Sequence, residues 1–158
     1  MTGTGQVQVT APVAAGIRSA VIRAGVGFIL AGVLLVGVTV TLVLTAPREG
    51  GFLDPIALGG GANGGLLVML AGFMLWDARK VVSGQTFLAG RARRVQRSLL
   101  LLFVLSVVIS GICAYGLVRV ADDEPIAGFL TLPLTSCPLT ALAVVVARSV
   151  LRPTTDRG

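Results

Sequence analysis

The sequence predicts an all-α, polytopic integral membrane protein with four transmembrane helices and both termini in the cytoplasm. Three observations predict this fold class. First, 54% of the 158 residues are hydrophobic and only 13% are charged, with a mean hydropathy of +0.92, whereas a soluble domain carries about 25% charged residues. Second, four apolar stretches are long enough to cross a membrane. Third, the charges between them are sorted by sign, so we expect one four-helix membrane domain over residues 1–158.

The first and third apolar stretches are uninterrupted. A membrane crossing needs about 20 helical residues, and residues 24–46 and 98–118 supply that length without an internal charge. The first run is longer than the roughly 7–15 apolar residues of a secretory signal and follows a polar, uncharged start. We therefore expect it to remain in the protein as a membrane anchor.

The second stretch, residues 56–76, is rich in glycine near its start. Glycine costs about 1 kcal/mol per helical residue relative to alanine, so two interpretations compete. Either the helix starts at Pro55 and uses its glycines for close packing, or a glycine-rich loop enters the outer leaflet and the helix starts near Gly64. We favour the first, because the shorter helix would end too early at Asp77 to span the membrane.

The fourth stretch, residues 125–147, contains prolines in its interior. A proline inside a helix removes a hydrogen bond, which predicts a kinked or broken span. Nearby hydroxyls can bond the carbonyls that proline frees, which is a purely structural interpretation. The functional interpretation is a hinge, or the polar lining of a path for a small solute or ion. The candidate residues are Thr131, Pro133, Thr135, Ser136, Pro138 and Thr140.

The orientation follows from the charged residues. Eleven of the 13 basic residues and two of the seven acidic residues lie before the first stretch, between the second and third, or after the fourth. The positive-inside rule places those segments in the cytoplasm. The net charge of +6 is therefore interpreted as an orientation signal, and no nucleic-acid partner is predicted.

The segment 77–97 is the longest predicted connection and the most basic. Its first interpretation is orientation alone. The alternative is contact with a specific acidic partner or with anionic headgroups, worth about 1 kcal/mol for each basic residue near the membrane surface. The candidate contact residues are Arg79, Lys80, Arg91, Arg93, Arg94 and Arg97.

Small residues in the first stretch predict close helix packing. Gly27 and Ala31 have the small-xxx-small spacing that lets two helices approach each other. The partner is either another helix of this chain or a helix of another protein.

Residues 54–57 and 124–127 both read acidic-Pro-Ile-Ala and stand where the chain re-enters the membrane. Two parallel helical hairpins would give this repeat, and so would the general preference for an acidic cap followed by proline at a helix start.

Catalytic chemistry has little support in the sequence. Histidine is absent, and no catalytic residue, cofactor or metal site is predicted. Cys113 and Cys137 differ in depth by roughly 10 Å, so we interpret them as separate buried thiols. The predicted function is a non-enzymatic accessory subunit, or a small regulatory or protective membrane protein. The alternative is an oligomeric passive channel or carrier lined by the fourth span. A lipid-modifying enzyme that uses Asp122, Asp123 and Glu124 is the third hypothesis.

Residues 76–109 resemble a bacterial family of small four-helix membrane proteins, domain of unknown function 2975. The resemblance rests on a Gly-x-x-Phe element, here Gly84 to Phe87, followed by a basic segment that enters the third span at residues 91–102. It implies four spans and no catalytic residues. The predicted location is the cell membrane, as the inner or plasma membrane of a bacterium. The predicted partners are membrane lipids and other membrane helices, in a homo-oligomer or in a larger complex.

Overall fold

The computed structural model describes the backbone of residues 6–45, 55–120 and 127–152, with the side chains of residues 42–43, 55–61, 113, 116–120 and 127–135 left out. Four helices make up most of it. They are α1 (Ala11–Thr45), α2 (Pro55–Asp77), α3 (Ala89–Val120) and α4 (Ala127–Val150). The helical prediction is confirmed. A small sheet, which the sequence did not predict, is added to it.

Two helical segments of the described chain, Ala11–Thr41 and Ala89–Ile112, are long and apolar enough to cross a membrane. Only 22% of the most apolar window of each is buried inside the protein. Leu34 is 68% exposed and Leu101 is 70% exposed. The apolar segment described in α4, Ser136–Val150, is shorter. Two helices are thus compatible with crossing a membrane, and four crossings stay a prediction.

The structure decides two questions about helix continuity. Helix α2 begins at Pro55, as the favoured interpretation predicted, and includes its glycines. Helix α4 runs from Ala127 to Val150 through Pro133 and Pro138. The predicted break in the fourth helix is therefore wrong, because both prolines lie within continuous helical backbone, and the predicted kink stays a prediction.

Helix α2 is central and contacts each of the other three helices. Its closest approach is to α1, where four glycines form what we call the glycine seam: Gly25 and Gly32 on α1, Gly65 and Gly72 on α2. A Cβ on Gly32 would lie 2.6 Å from the Gly65 carbonyl oxygen, and one on Gly72 would lie 2.8 Å from the Gly25 carbonyl oxygen. Glycine is required here because backbone faces backbone.

The bundle has a basic end, formed where α1 and α3 extend beyond their predicted spans. Helix α1 starts at Ala11 and α3 at Ala89, rather than near residues 24 and 98. The segment 77–97 is therefore not a loop. It contains a 3-10 turn (Ala78–Val81), strands β2 (Val82–Ser83) and β3 (Thr86–Leu88), and the first turns of α3.

Candidate functional site at the basic end

Residues 6–23 and 78–97 fold together into a unit that we call the basic cap. Strand β1 (Gln6–Gln8) pairs with β3, and β3 pairs with β2, all antiparallel. Gly84 begins the two-residue turn between β2 and β3 with a φ of +61°. A positive φ at that position is typical of a type II′ hairpin turn and favours glycine. The turn fixes the register that carries Phe87 into the cap.

Phe87 is the centre of the cap's core. It is fully buried, and it pairs with Val7 on one side and Val82 on the other. Val21 from α1 and Ala92 from α3 are buried in the same apolar cluster. The Gly-x-x-Phe element of the sequence therefore has a structural role: glycine makes the turn and phenylalanine fills the core.

A basic pocket of about 530 Å³ opens on the surface of this cap. Four cationic side chains line it, from three different elements. The lining residues are Arg18, Ile22, Arg79, Lys80, Val82, Ser83, Leu88 and Arg91. No acidic side chain is among these described lining residues. The fold thus collects positive charge from positions up to 73 residues apart in the sequence, between Arg18 and Arg91.

Two of the four cations are held by backbone carbonyls. Arg18 donates from Nη2 to the carbonyl oxygen of Val82 at 2.9 Å and from Nε to the same oxygen at 3.3 Å. Arg91 donates from Nη1 to the carbonyl oxygen of Lys80 at 3.5 Å. A carbonyl orients a guanidinium without pairing it with an opposite charge.

The other two cations belong to the 3-10 turn. The guanidinium carbon of Arg79 lies 5.1 Å from the centroid of the Trp76 ring, within cation–π range. Lys80 Nζ lies 2.5 Å from Asp77 Oδ1, in a pair whose side chains are 59% and 64% exposed. Such an exposed pair contributes about 0–1 kcal/mol. Asp77 is the one carboxylate among the described side chains, against ten basic ones.

The structure divides the predicted lipid-contact residues into groups. Arg79, Lys80 and Arg91 line the basic pocket. Arg94 lines a neighbouring cavity of about 290 Å³, which shares Lys80 and Arg91 with the basic pocket and also includes Asp77. Arg93 and Arg97 are exposed on α3 and line neither cavity. Sequence reasoning missed Arg18 as a member of the group, because its part in the pocket depends on the contact with β2.

A second candidate site, the polar cluster, lies between α3 and α4. Its residues are Ser106 and Ser110 on α3, and Ser136, Cys137 and Thr140 on α4. All three serines and Thr140 are at most 5% exposed. The Oγ atoms of Ser106 and Ser136 are 3.2 Å apart, and Cys137 Sγ donates to Ser110 Oγ at 3.2 Å.

Hydrogen bonds within the protein satisfy this cluster. Thr140 Oγ1 donates to the carbonyl oxygens of Ser136 at 3.0 Å and Cys137 at 3.1 Å. Of the six predicted hinge or lining residues, Ser136 bonds across to Ser106 on α3, Thr140 is buried and bonds carbonyls of its own helix, and Pro138 is exposed. Sequence reasoning missed Ser106 and Ser110, which supply the α3 side.

The predicted packing residues lie outside the glycine seam. Gly27 is exposed, and a Cβ on it would meet nothing within 4 Å. Ala31 is half-buried. Both line an apolar groove of about 300 Å³ between α1 and α4, together with Leu139, Leu142 and Val146. The close packing within the chain uses Gly25 and Gly32 instead.

Several predicted features lie outside the described residues. These are the side chains of Thr131, Pro133, Thr135 and Cys113, and the acidic residues Asp122, Asp123 and Glu124. Of the repeated motifs at 54–57 and 124–127, the structure describes only the backbone of residues 55–57 and 127.

Comparison with protein-family models, with curated proteins and with solved structures gives no match to this chain. The resemblance to domain of unknown function 2975 therefore stays a prediction, and functional conclusions rest on the geometry of the chain itself.

Proposed function

We propose that this chain is a multi-pass membrane protein without catalytic activity of its own, which acts as an accessory or regulatory component by packing against partner helices. The observation that carries the proposal is a contrast between two small-residue surfaces of α1. Gly25 and Gly32 are closed against α2, whereas Gly27 has open space around it. The protein's own fold thus leaves Gly27, at the groove between α1 and α4, without a close helix contact.

The apolar outer surface supports the membrane placement. Large aliphatic side chains are exposed along both α1 and α3, among them Leu30, Leu34, Leu101 and Ile112, each at least 63% exposed. A water-soluble monomer rarely exposes apolar patches of such extent. With this placement, the positive-inside rule puts the basic cap in the cytoplasm, and the cell membrane is the proposed location.

The polar cluster supports a packing role over the channel alternative. A pore lining presents polar groups to water, whereas Ser106 and Ser136 bond to each other across a helix interface and are at most 1% exposed. Interhelical hydroxyl contacts of this kind hold membrane helices together. We therefore rank the channel or carrier second.

Gly27→Leu tests the proposal, with Gly111→Leu as its matched control. Both glycines are helical and exposed, and both have open space around them. Leucine improves helix propensity at either site but blocks close helix approach at Gly27. We expect tagged wild-type protein, produced at its natural level and purified in mild detergent, to recover a partner that the Gly27→Leu variant loses and the Gly111→Leu variant keeps.

A wild-type protein that purifies as a lone monomer contradicts the proposal, and so does equal recovery of partner by the two variants. The channel alternative is measured separately, as solute flux into liposomes that contain wild-type protein or the Ser106→Ala variant. Flux that depends on Ser106 would reverse the ranking.

A further inference from the structure

We infer that the basic pocket is a binding site for the phosphate headgroup of one anionic phospholipid. The inference rests on the proposed membrane placement, and it goes beyond it by assigning a discrete ligand site to Arg18, Arg79, Lys80 and Arg91. A diffuse attraction between the whole basic cap and the membrane would not distinguish these residues from Arg93 or Arg97.

The pocket has the donors that a phosphate requires. Guanidinium groups bind phosphate oxygens through paired N–H donors, and charge-assisted bonds of this type are roughly twice as strong as neutral ones. Arg18 uses only Nε and Nη2 on the Val82 carbonyl, out of five N–H donors. The Ser83 hydroxyl adds a neutral donor at the pocket wall.

The arginines are positioned before any ligand arrives. The Val82 carbonyl holds Arg18 at 2.9 Å, the Trp76 ring lies beneath Arg79, and Arg91 makes a longer, exposed contact of 3.5 Å with the Lys80 carbonyl. Restricting side chains in advance reduces the entropy that binding must otherwise lose. Arg93 and Arg97, in contrast, are exposed on α3 outside both described cavities.

The apolar part of the lining favours a lipid over a free phosphate. Ile22, Val82 and Leu88 line the same pocket as the four cations. Ile22 also lies two residues before the predicted first span, which is where the proposed membrane placement puts the boundary between headgroups and acyl chains. A lining that combines cationic and apolar side chains fits a phosphate esterified to diacylglycerol, whereas a free phosphate would leave the apolar side chains without a contact.

The test compares two charge-matched double variants of the full chain in detergent. Arg18→Gln with Arg91→Gln removes two pocket charges, and Arg93→Gln with Arg97→Gln removes two charges outside the pocket. Native mass spectrometry measures the affinity for phosphatidylglycerol, for phosphatidylcholine with the same acyl chains, and for glycerol 3-phosphate. Removing two guanidinium groups that bond the phosphate corresponds to about a tenfold or greater loss of affinity, because each charge-assisted hydrogen bond contributes to binding.

We expect wild-type protein to retain one phosphatidylglycerol in preference to phosphatidylcholine. The pocket variant should lose at least about tenfold in that affinity, while the variant outside the pocket stays within about threefold of wild type. Equal losses in the two variants would overturn the site in favour of diffuse attraction. Binding of glycerol 3-phosphate that equals or exceeds that of phosphatidylglycerol would overturn the lipid assignment.

A third variant keeps the test decisive if loss of the Arg18–Val82 bond unfolds the cap. Arg79→Gln with Lys80→Gln removes two pocket charges and leaves that bond in place, and it should lose the same affinity. Retained affinity in this variant, with a folded cap by circular dichroism, counts against the site. Extraction of the wild-type protein from membranes by alkaline carbonate refutes the membrane placement instead, so the two failures are distinguishable.

Discussion

Alanine at Gly32 perturbs the glycine seam directly. Its added Cβ would lie 2.6 Å from the Gly65 carbonyl oxygen and 2.7 Å from the Met69 backbone nitrogen. Both atoms belong to the backbone of α2, so no side-chain rotation relieves the clash. Ordinary van der Waals contact begins at 3.4 Å, which requires α1 and α2 to separate locally by about 0.8 Å.

The expected change in the free energy of unfolding is the sum of two opposing contributions. Overpacking of a well-packed interface costs about 1–3 kcal/mol, whereas replacing glycine by alanine in a helix gains about 1 kcal/mol. Gly27→Ala, on the same helix with open space around it, has only the second term. The free energy of unfolding of the Gly32→Ala variant should therefore be about 1–3 kcal/mol below that of the Gly27→Ala variant.

Unfolding by sodium dodecyl sulfate in mixed micelles, followed by circular dichroism, measures these free energies. Gly65→Ala extends the experiment, because its Cβ would lie 3.0 Å from the Gly32 carbonyl oxygen and 2.7 Å from Val36 Cγ2. Once one alanine has separated the helices, the second should cost less than it does alone, giving a coupling above about 0.5 kcal/mol. A difference below about 0.5 kcal/mol between the Gly32 and Gly27 variants would refute the seam.

Three further perturbations address the cap and the polar cluster. Gly84→Val should destabilise the cap by about 1–2 kcal/mol, because a side chain at this positive φ is strained, and Gly84→Asn should destabilise it by less. The rate of tryptic cleavage within residues 78–97 measures the stability of the cap in both variants. A double-mutant cycle of Ser106→Ala and Ser136→Ala should give a coupling of about 0.6 kcal/mol, and zero coupling would contradict the contact. Asp77→Asn removes the carboxylate beside Lys80 and should raise phosphatidylglycerol affinity by up to about fivefold, measured by native mass spectrometry.

The glycine seam shows what the sequence could predict about packing. The sequence contains the spacing of the seam, because Gly25 and Gly32 are seven residues apart and Gly65 and Gly72 repeat that spacing. Several glycines of α1 nevertheless have similar spacings, and the sequence alone does not say which face of α1 meets α2. The small-xxx-small spacing identifies Gly27 from residues of α1 alone. The antiparallel packing of α1 against α2 determines which glycines of the two helices are in contact, and these are Gly25 and Gly32 on α1.

The cap shows what could not be predicted. Strand β2 has two residues and β1 and β3 have three each, too few for an alternating pattern to be recognised. Strand β1 pairs with a segment about 80 residues away, at Val7 and Phe87. The contact between Ser106 and Ser136 was hidden for a similar reason: a hydroxyl in an apolar helix can bond its own backbone, and only the packed bundle shows that it bonds a neighbour.

The length of α1 explains why the positive charge lies on a folded surface. Its 35 residues extend about 52 Å at 1.5 Å per residue, whereas the hydrocarbon core is about 30 Å thick. The predicted first span ends near residue 46, so the excess falls at the start of α1, where Arg18 lies. The positive-inside rule requires only that basic residues be on that side, and a flexible loop would satisfy it. A folded cap is therefore more than the positive-inside rule requires.

Phe87→Ala distinguishes the effect of the cap's charge from the effect of its folded structure, because it changes no charged residue. Phe87 is fully buried, and removal of such a side chain costs about 3–5 kcal/mol, which is enough to unfold a small cap. If the cap's charges act only as an orientation signal, the variant should insert normally and bind phosphatidylglycerol as wild type does. If the pocket geometry matters, orientation should stay the same and phosphatidylglycerol affinity should fall by at least about tenfold. Phe73→Ala, at a side chain that is 52% exposed, should leave both properties unchanged. Labelling of a cysteine introduced near each terminus measures the orientation, and native mass spectrometry measures the phosphatidylglycerol affinity.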